Sequence, residues 1–382
     1  MKLRIALLAL ACLSAFANAQ TTQPVHVNGE TWTDTAGEPI NAHGGGVLFH
    51  DGVYYWYGEN RGRRTPDVRW PPSPGVSVYS SSDLLNWSND GIALATVDDE
   101  QSDITRGCNI ERPKVIYNAK TGKFVMWFHL ELKGRGYAAA RTAVAVADKP
   151  TGPFKFIRSL RPNAGHWPIE FPAELRTPLD QQQARAALAE PNFRSGLREG
   201  VYTRRDFAGG QMARDMTLYV DDDGKGYHIA SAEENYTLNL HELTDDYLDF
   251  TGKWTRIQPG GHNEAPAILK HDGKYHMLAS GCTGWAPNEA RALVADSIWG
   301  PWVPNGNPTH GTNPQNGMGP EKTFGGQSTW ILAQPGKPGA YIAMFDVWRP
   351  RNLIESGYIW LPLTMENGKM KIEYREQWKL GE

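Results

Sequence analysis

The chain has 382 residues, including 14 Trp, 15 Tyr and 40 Gly, and a formal net charge of −3. The length suits one large domain or two ordinary ones, and the slightly acidic balance offers no basic field for nucleic acid. So many aromatics and glycines fit short strands, tight turns and a sugar-stacking surface better than an ordinary α/β enzyme, with most of the aromatics serving as core between sheets.

The N-terminus places Lys2 and Arg4 before an apolar run and ends it with Ala17-Asn18-Ala19, a small-x-small cleavage site. Residues 1–19 therefore read as a signal peptide, with mature protein from Gln20 in a secreted or periplasmic setting. A lipid anchor at Cys12 is the minor alternative. No other apolar run is long enough to span a bilayer. Cys108 and Cys282 then remain, either as a bridge or as two free thiols.

Next come five repeats of one pattern: a polar or glycine lead, an apolar run, a turn and an aromatic-rich second strand. They occupy 44–59, 111–129, 214–231, 264–281 and 327–348. Asp51-Gly52, Asp223-Gly224 and Asp272-Gly273 are two-residue hairpin signals. A second strand pair follows each repeat, at 75–94, 141–160, 241–257, 292–303 and 358–378. Two hairpins per unit make four strands per blade, and five units predict an all-β, five-bladed β-propeller. The segment 161–210 breaks the rhythm with a helix-like run at 180–190, and reads as a partly helical insertion between blades two and three, either a lid or a rim decoration. Residues 20–382 thus form one domain.

In a propeller the innermost strands start at the central channel, so their leads converge at one mouth. Glu111, Asp215, Glu264 and Gln327 lead four of them. Unpaired buried carboxylates cost several kcal/mol, so three at one hub point to chemistry rather than to folding. Glycoside hydrolysis needs a pair of carboxyl groups, and crowding raises one pKa so that a general acid exists near neutral pH. No zinc-type spacing is present.

The Arg-Asp-Met-Thr lead at 214–217 with Asp-Asp-Asp-Gly at 221–224 resembles glycoside hydrolase family 43, as does Glu-Ala-Pro-Ala at 264–267 followed by Ser-Gly-Cys-Thr-Gly-Trp at 280–285. His43-Gly44-Gly45-Gly46 and Gln327-Ser328-Thr329 resemble its branch of exo-β-1,3-galactanases and related galactosidases. The resemblance covers the mature chain apart from the insertion. It implies an inverting enzyme in which Glu264 is the acid and Asp215 tunes it. The family's base, an aspartate leading blade one, is replaced here by glycines, a loss the branch shares. Gln327 then positions the attacking water, and Glu111 is either the base or a sugar-hydroxyl ligand.

The same resemblance gives Glu59 and Tyr137 as sugar contacts. Asn235 and Thr283 are hydrogen-bonding candidates, Trp285 and Trp348 stacking candidates, and His43 either a substrate contact or a structural histidine. Glu233 and Glu234 compete with Glu264 for the acid role. Arg112 and Arg214 adjoin the carboxylates as pairing candidates. Some family members hold an ion in the channel through a blade-five His, where Gln327 stands here. No cofactor is therefore required, and a structural calcium ion is not indicated. The expected partner is a galactose-containing poly- or oligosaccharide. The alternatives are a β-galactofuranosidase or α-L-arabinofuranosidase of the same family and, in another class, a carbohydrate-binding propeller without turnover.

Overall fold

The computed structural model describes residues 27–62 and 71–380. The signal-peptide reading of residues 1–19, Cys12 included, lies outside them. Blade one comprises β1 (His43–His50), β2 (Val53–Asn60), β3 (Gly75–Ser81) and β4 (Ser88–Ala95). Blade two comprises β5 (Asn109–Asn118), β6 (Lys123–Glu131), β7 (Arg141–Ala147) and β8 (Lys155–Leu160). Blade three comprises β9 (Met216–Val220), β10 (Gly226–Ala232), β11 (Thr237–Leu243) and β12 (Phe250–Ile257). Blade four comprises β13 (Asn263–His271), β14 (Lys274–Gly281), β15 (Ala290–Ala295) and the two-residue β16 (Val303–Pro304). Blade five runs from β18 (Gln327–Ala333) through β19 (Tyr341–Val347) and β20 (Gly357–Glu366) to β21 (Lys369–Glu373), and a short β17 (Thr309–His310) pairs parallel to β21 at its rim. The expected four strands hold in four blades, and blade five has five.

Each innermost strand neighbours the next, and β18 returns to β1 to close the ring. Five apolar clusters fill the five interfaces between blades. The closing interface, between blades five and one, is the most aromatic. Trp56 packs 4.8 Å from Trp360 and 5.3 Å from Trp87, and Trp32 lies 5.2 Å from Trp360. Asn28 straps the N-terminal lead to blade five by donating to Trp360 O at 3.1 Å and accepting from Trp360 N at 2.8 Å.

Asp51 and Gly52 take φ of 48° and 82°, and Asp272 and Gly273 take 48° and 76°. Both pairs make the tight hairpins their sequences call for. Asp223-Gly224 does not: β9 and β10 are joined by the longer loop 221–225, closed by Asp221 N donating to Lys225 O at 3.0 Å. The insertion folds as a 3-10 turn at Ala173–Leu175 and three short α-helices, α1 (Gln181–Ala187), α2 (Phe193–Arg198) and α3 (Val201–Arg205), with Asp180 and Gln183 forming a capping box on α1. No helix among the described residues is long and apolar enough to cross a membrane.

Candidate active site

The hub ends of three innermost strands share one irregularity. Pairing skips between His43 and Gly46, between Glu111 and Lys114, and between Glu264 and Ala267. The residue after the lead is left-handed each time, with φ of 59° at Gly44, 52° at Arg112 and 51° at Ala265. A bulge of this kind bends the strand and re-aims a side chain. The residue opposite each lead also reaches the hub: Glu59 faces His43, His129 faces Glu111, Ser280 faces Glu264 and Asp346 faces Gln327.

A cavity of about 250 Å³ opens there. Glu111, Asp215, Glu264 and Gln327 all line it, with Glu59, Tyr137, Asn235, Trp285 and Trp348. His43 does not. It is sealed beneath, with its ring stacked on Tyr358 at 5.2 Å and Nδ1 3.7 Å from Asp346, and is a structural histidine. Thr283 does not either. Its hydroxyl donates to Ala286 O at 2.6 Å and accepts from Asn288 at 2.7 Å, so it closes its own loop.

Glu264 Oε1 accepts from Asn235 Nδ2 and from the Cys282 thiol, each at 2.9 Å. Burial first, and then the like charge of Asp215, push its pKa up to about 7 despite those donors. Asp215 is held by Arg112 Nη2 at 2.9 Å. Cys282 is free and Cys108 lies buried elsewhere, so the two thiols are not bridged.

Glu111 accepts from Tyr137 Oη and Asn109 Nδ2, each at 2.6 Å, and the His129 ring lies against it with Nδ1 at 3.1 Å. Burial alone would raise its pKa, but His129, Arg61 and Tyr137 together hold it well below the usual carboxylate range. His129 sits between Glu111 and Glu131. Burial opposes its charge, yet these two carboxylates raise its pKa to about 9. Glu111, His129 and Asp215 each bring a ligand atom within 4.8 Å of the others, a spacing at which a metal ion would compete with the cations these groups already face. His129 Nδ1 lies 3.1 Å from Glu111 and Nε2 lies 3.0 Å from Glu131, so both carboxylates favour the charged ring, and Asp215 is paired with Arg112.

The Gln327 amide is oriented without ambiguity. Arg112 Nη2 at 2.6 Å and Trp348 Nε1 at 2.8 Å, groups that only donate, fix its oxygen, and Nε2 donates to Ser280 Oγ at 3.0 Å. One N–H remains to point elsewhere. With its oxygen doubly engaged, this amide presents a donor and has no free acceptor for a proton. Trp285, 44% exposed, meets Trp348 edge-on at 5.4 Å and makes an aromatic corner at the mouth.

Arg112 joins Asp215, Gln327 and Ser328 O as the central cation. Arg214 holds Asn235 Oδ1 at 3.2 Å and lies 3.6 Å from Glu234, and its charge also acts on Glu264. Glu233 is fully buried and saturated by donors outside the cavity, and Glu234 pairs with Arg205, so neither competes with Glu264. Sequence reasoning missed Arg61, His129, Lys114, Cys282 and Asp346. Lys114 Nζ, buried beneath the site, donates to Gly44 O at 2.7 Å, and burial with the charge of Arg112 lowers its pKa to about 7. For His129 and Asp346 a signal was present, since each lies opposite a lead residue on the second strand.

A buried carboxyl whose pKa is pushed up to about 7, beside an aspartate paired with arginine and below an aromatic corner, is the equipment of glycoside hydrolysis. The model of glycosyl hydrolases family 43 matches residues 199–340. A solved family 43 β-1,3-galactosidase in complex with galactodeoxynojirimycin is 51% identical, over 93% of this chain and 100% of its own, with a TM-score of 0.87. An exo-β-1,3-galactanase from Clostridium thermocellum is 34% identical over 92% of this chain and 66% of its own, with a TM-score of 0.71. A β-D-galactofuranosidase of Aspergillus niger is 30% identical over 95 residues, 24% of this chain and 27% of its own length, so the chain matches about a quarter of that relative. The chain belongs to glycoside hydrolase family 43.

Proposed function

We propose that this hydrolase is an exported, exo-acting enzyme that inverts configuration and releases galactose from β-1,3-galactan or arabinogalactan-type chains. The observation that carries the reading is the geometry of Glu264, a cavity carboxyl whose Oε1 accepts from Asn235 and Cys282 while burial and the neighbouring Asp215, itself paired with Arg112, push its pKa up to about 7. Glu264 gives its proton to the departing glycosidic oxygen, and Asp215 keeps that proton in place at neutral pH. Gln327 offers its remaining N–H to the attacking water. Glu111, ionised, takes the proton the water loses. A strongly solvated carboxylate is a weak base, which suffices once bond breaking has made the sugar carbon electron-poor. Tyr137, exposed at the cavity wall, meets sugar hydroxyls in this reading, whereas Glu59 lines the wall as a buried carboxylate that accepts from Arg112 N at 3.0 Å and pairs with Arg61. The likeness to a β-1,3-galactosidase over 93% of this chain supports galactose as the sugar.

A panel of β-1,3-galactan, aryl β-galactopyranoside, β-galactofuranoside and α-arabinofuranoside tests the substrate. Turnover of the first two alone is expected, turnover of a furanoside alone would replace the reading, and no turnover would leave a binding propeller. Product NMR at early times is expected to show the α-anomer, and β-galactose would overturn inversion.

A further inference from the structure

The insertion between blades two and three neither covers the cavity nor merely decorates the rim. It reaches the loop between β10 and β11, residues 233–236, which carries Asn235 to the cavity. Glu233, Glu234 and Asn235 are all left-handed, with φ of 52°, 55° and 66°. Three such residues in a row, none of them glycine, require outside support. The carboxylate of Glu233 receives it. Thr203 of α3 donates to Oε1 at 2.7 Å, Arg256 Nε donates to Oε1 at 2.5 Å, Arg256 Nη2 to Oε2 at 2.7 Å, and Thr237 to Oε2 at 3.0 Å. Arg256 also caps the end of α2, donating to Leu197 O at 2.5 Å and Arg198 O at 3.0 Å. Arg205 of α3 holds Glu234 at 3.1 Å. At the loop's end Arg214 fixes Asn235 Oδ1, so Nδ2 must face Glu264 Oε1.

We propose that Glu233 is a positioning residue of the reaction, and that the insertion is the brace which, through Glu233, holds Asn235 against Glu264. With Asn235 Nδ2 and the Cys282 thiol both on Oε1, the transferable proton belongs on Oε2, the oxygen left to meet the leaving group. The buried ion pair Glu233–Arg256 thus serves proton delivery from outside the cavity. This inference rests on Glu264 being the acid of the proposed reaction.

The test compares two substrates. β-1,3-Galactobiose needs a proton on its departing sugar, whereas 2,4-dinitrophenyl β-galactoside has a leaving group that departs without one. Glu233→Gln is expected to lower kcat on galactobiose about tenfold, the loss of roughly one well-made hydrogen bond. It leaves the dinitrophenyl substrate within about twofold. Because a donor to the ionised carboxylate is lost, the alkaline limb of the galactobiose pH profile moves to higher pH. Thr203→Val, which removes a single donor, is expected to give about a threefold loss with the same pattern, and decides the matter alone if Glu233→Gln does not fold. Equal losses on both substrates, or no loss on galactobiose, overturn the brace. Glu264→Gln is the control. If its loss is also independent of leaving group, the acid assignment falls and the brace with it. Leaving-group dependence at Glu264 but not at Glu233 removes the brace alone.

Discussion

Blades one and four start with the same backbone device and put different chemistry behind it. Both break register immediately after the lead residue and turn the next residue left-handed, Gly44 in one and Ala265 in the other. In blade four the bulge delivers Glu264 to the cavity. In blade one it delivers His43 to a sealed stack on Tyr358, and three glycines follow. A Cβ on Gly45 would lie 1.6 Å from Tyr57 O, and one on Gly44 would lie 2.4 Å from Glu59 Oε1. The space is already taken by the neighbouring strand and by buried carboxylates from elsewhere: Glu59 across the hairpin, and Asp346 of blade five, which accepts from Gly44 N at 3.0 Å. A repeated fold position need not carry the same chemistry when its own hairpin and the adjacent blade fill the same volume.

That contrast breaks most sharply at Glu264. Glu264→Gln is expected to cost about 10²–10⁴-fold in kcat on unactivated galactosides with the fold unchanged by circular dichroism, and wild-type turnover would remove the acid from blade four. Glu111→Ala is expected to cost about 10²-fold, and sodium azide to restore turnover with release of galactosyl azide. Rescue at Gln327→Ala instead would move the base to the amide. Gly45→Ala inserts a methyl into backbone, and is expected to destabilise by about 1–3 kcal/mol or more in urea unfolding. A neutral effect would show that blade one's glycines do not answer to packing.

The pH profile sharpens the same comparison. The acid must be protonated, so with a pKa of about 7 at Glu264, kcat/KM falls as pH rises through neutrality. Asp215→Asn removes the like charge, lowers the pKa of Glu264 and moves that limb to lower pH. An upward shift would contradict the tuning role. The smallest expected effect is at the rim: Trp285→Ala should raise KM about two- to tenfold with kcat nearly unchanged, as loss of one aromatic contact does.

The periodic pattern of the chain determines much of this protein by itself. Five recurrences of a polar or glycine lead, an apolar run, a turn and an aromatic-rich second strand dictate five small sheets, and a closed ring forces their leads to one hub, which is why Glu111, Asp215, Glu264 and Gln327 meet. Local sequence could not fix what depends on contacts between blades. The pKa of Glu264 arises from burial and from Asp215 on another blade, and the orientation of Gln327 comes from Arg112 and Trp348. His43 and Thr283 have the right chemistry for a site, yet packing and a local turn consume them. The insertion carries no repeat that would reveal its neighbours, so its hold on Glu233 is visible only where α3 and β12 converge on one buried carboxylate.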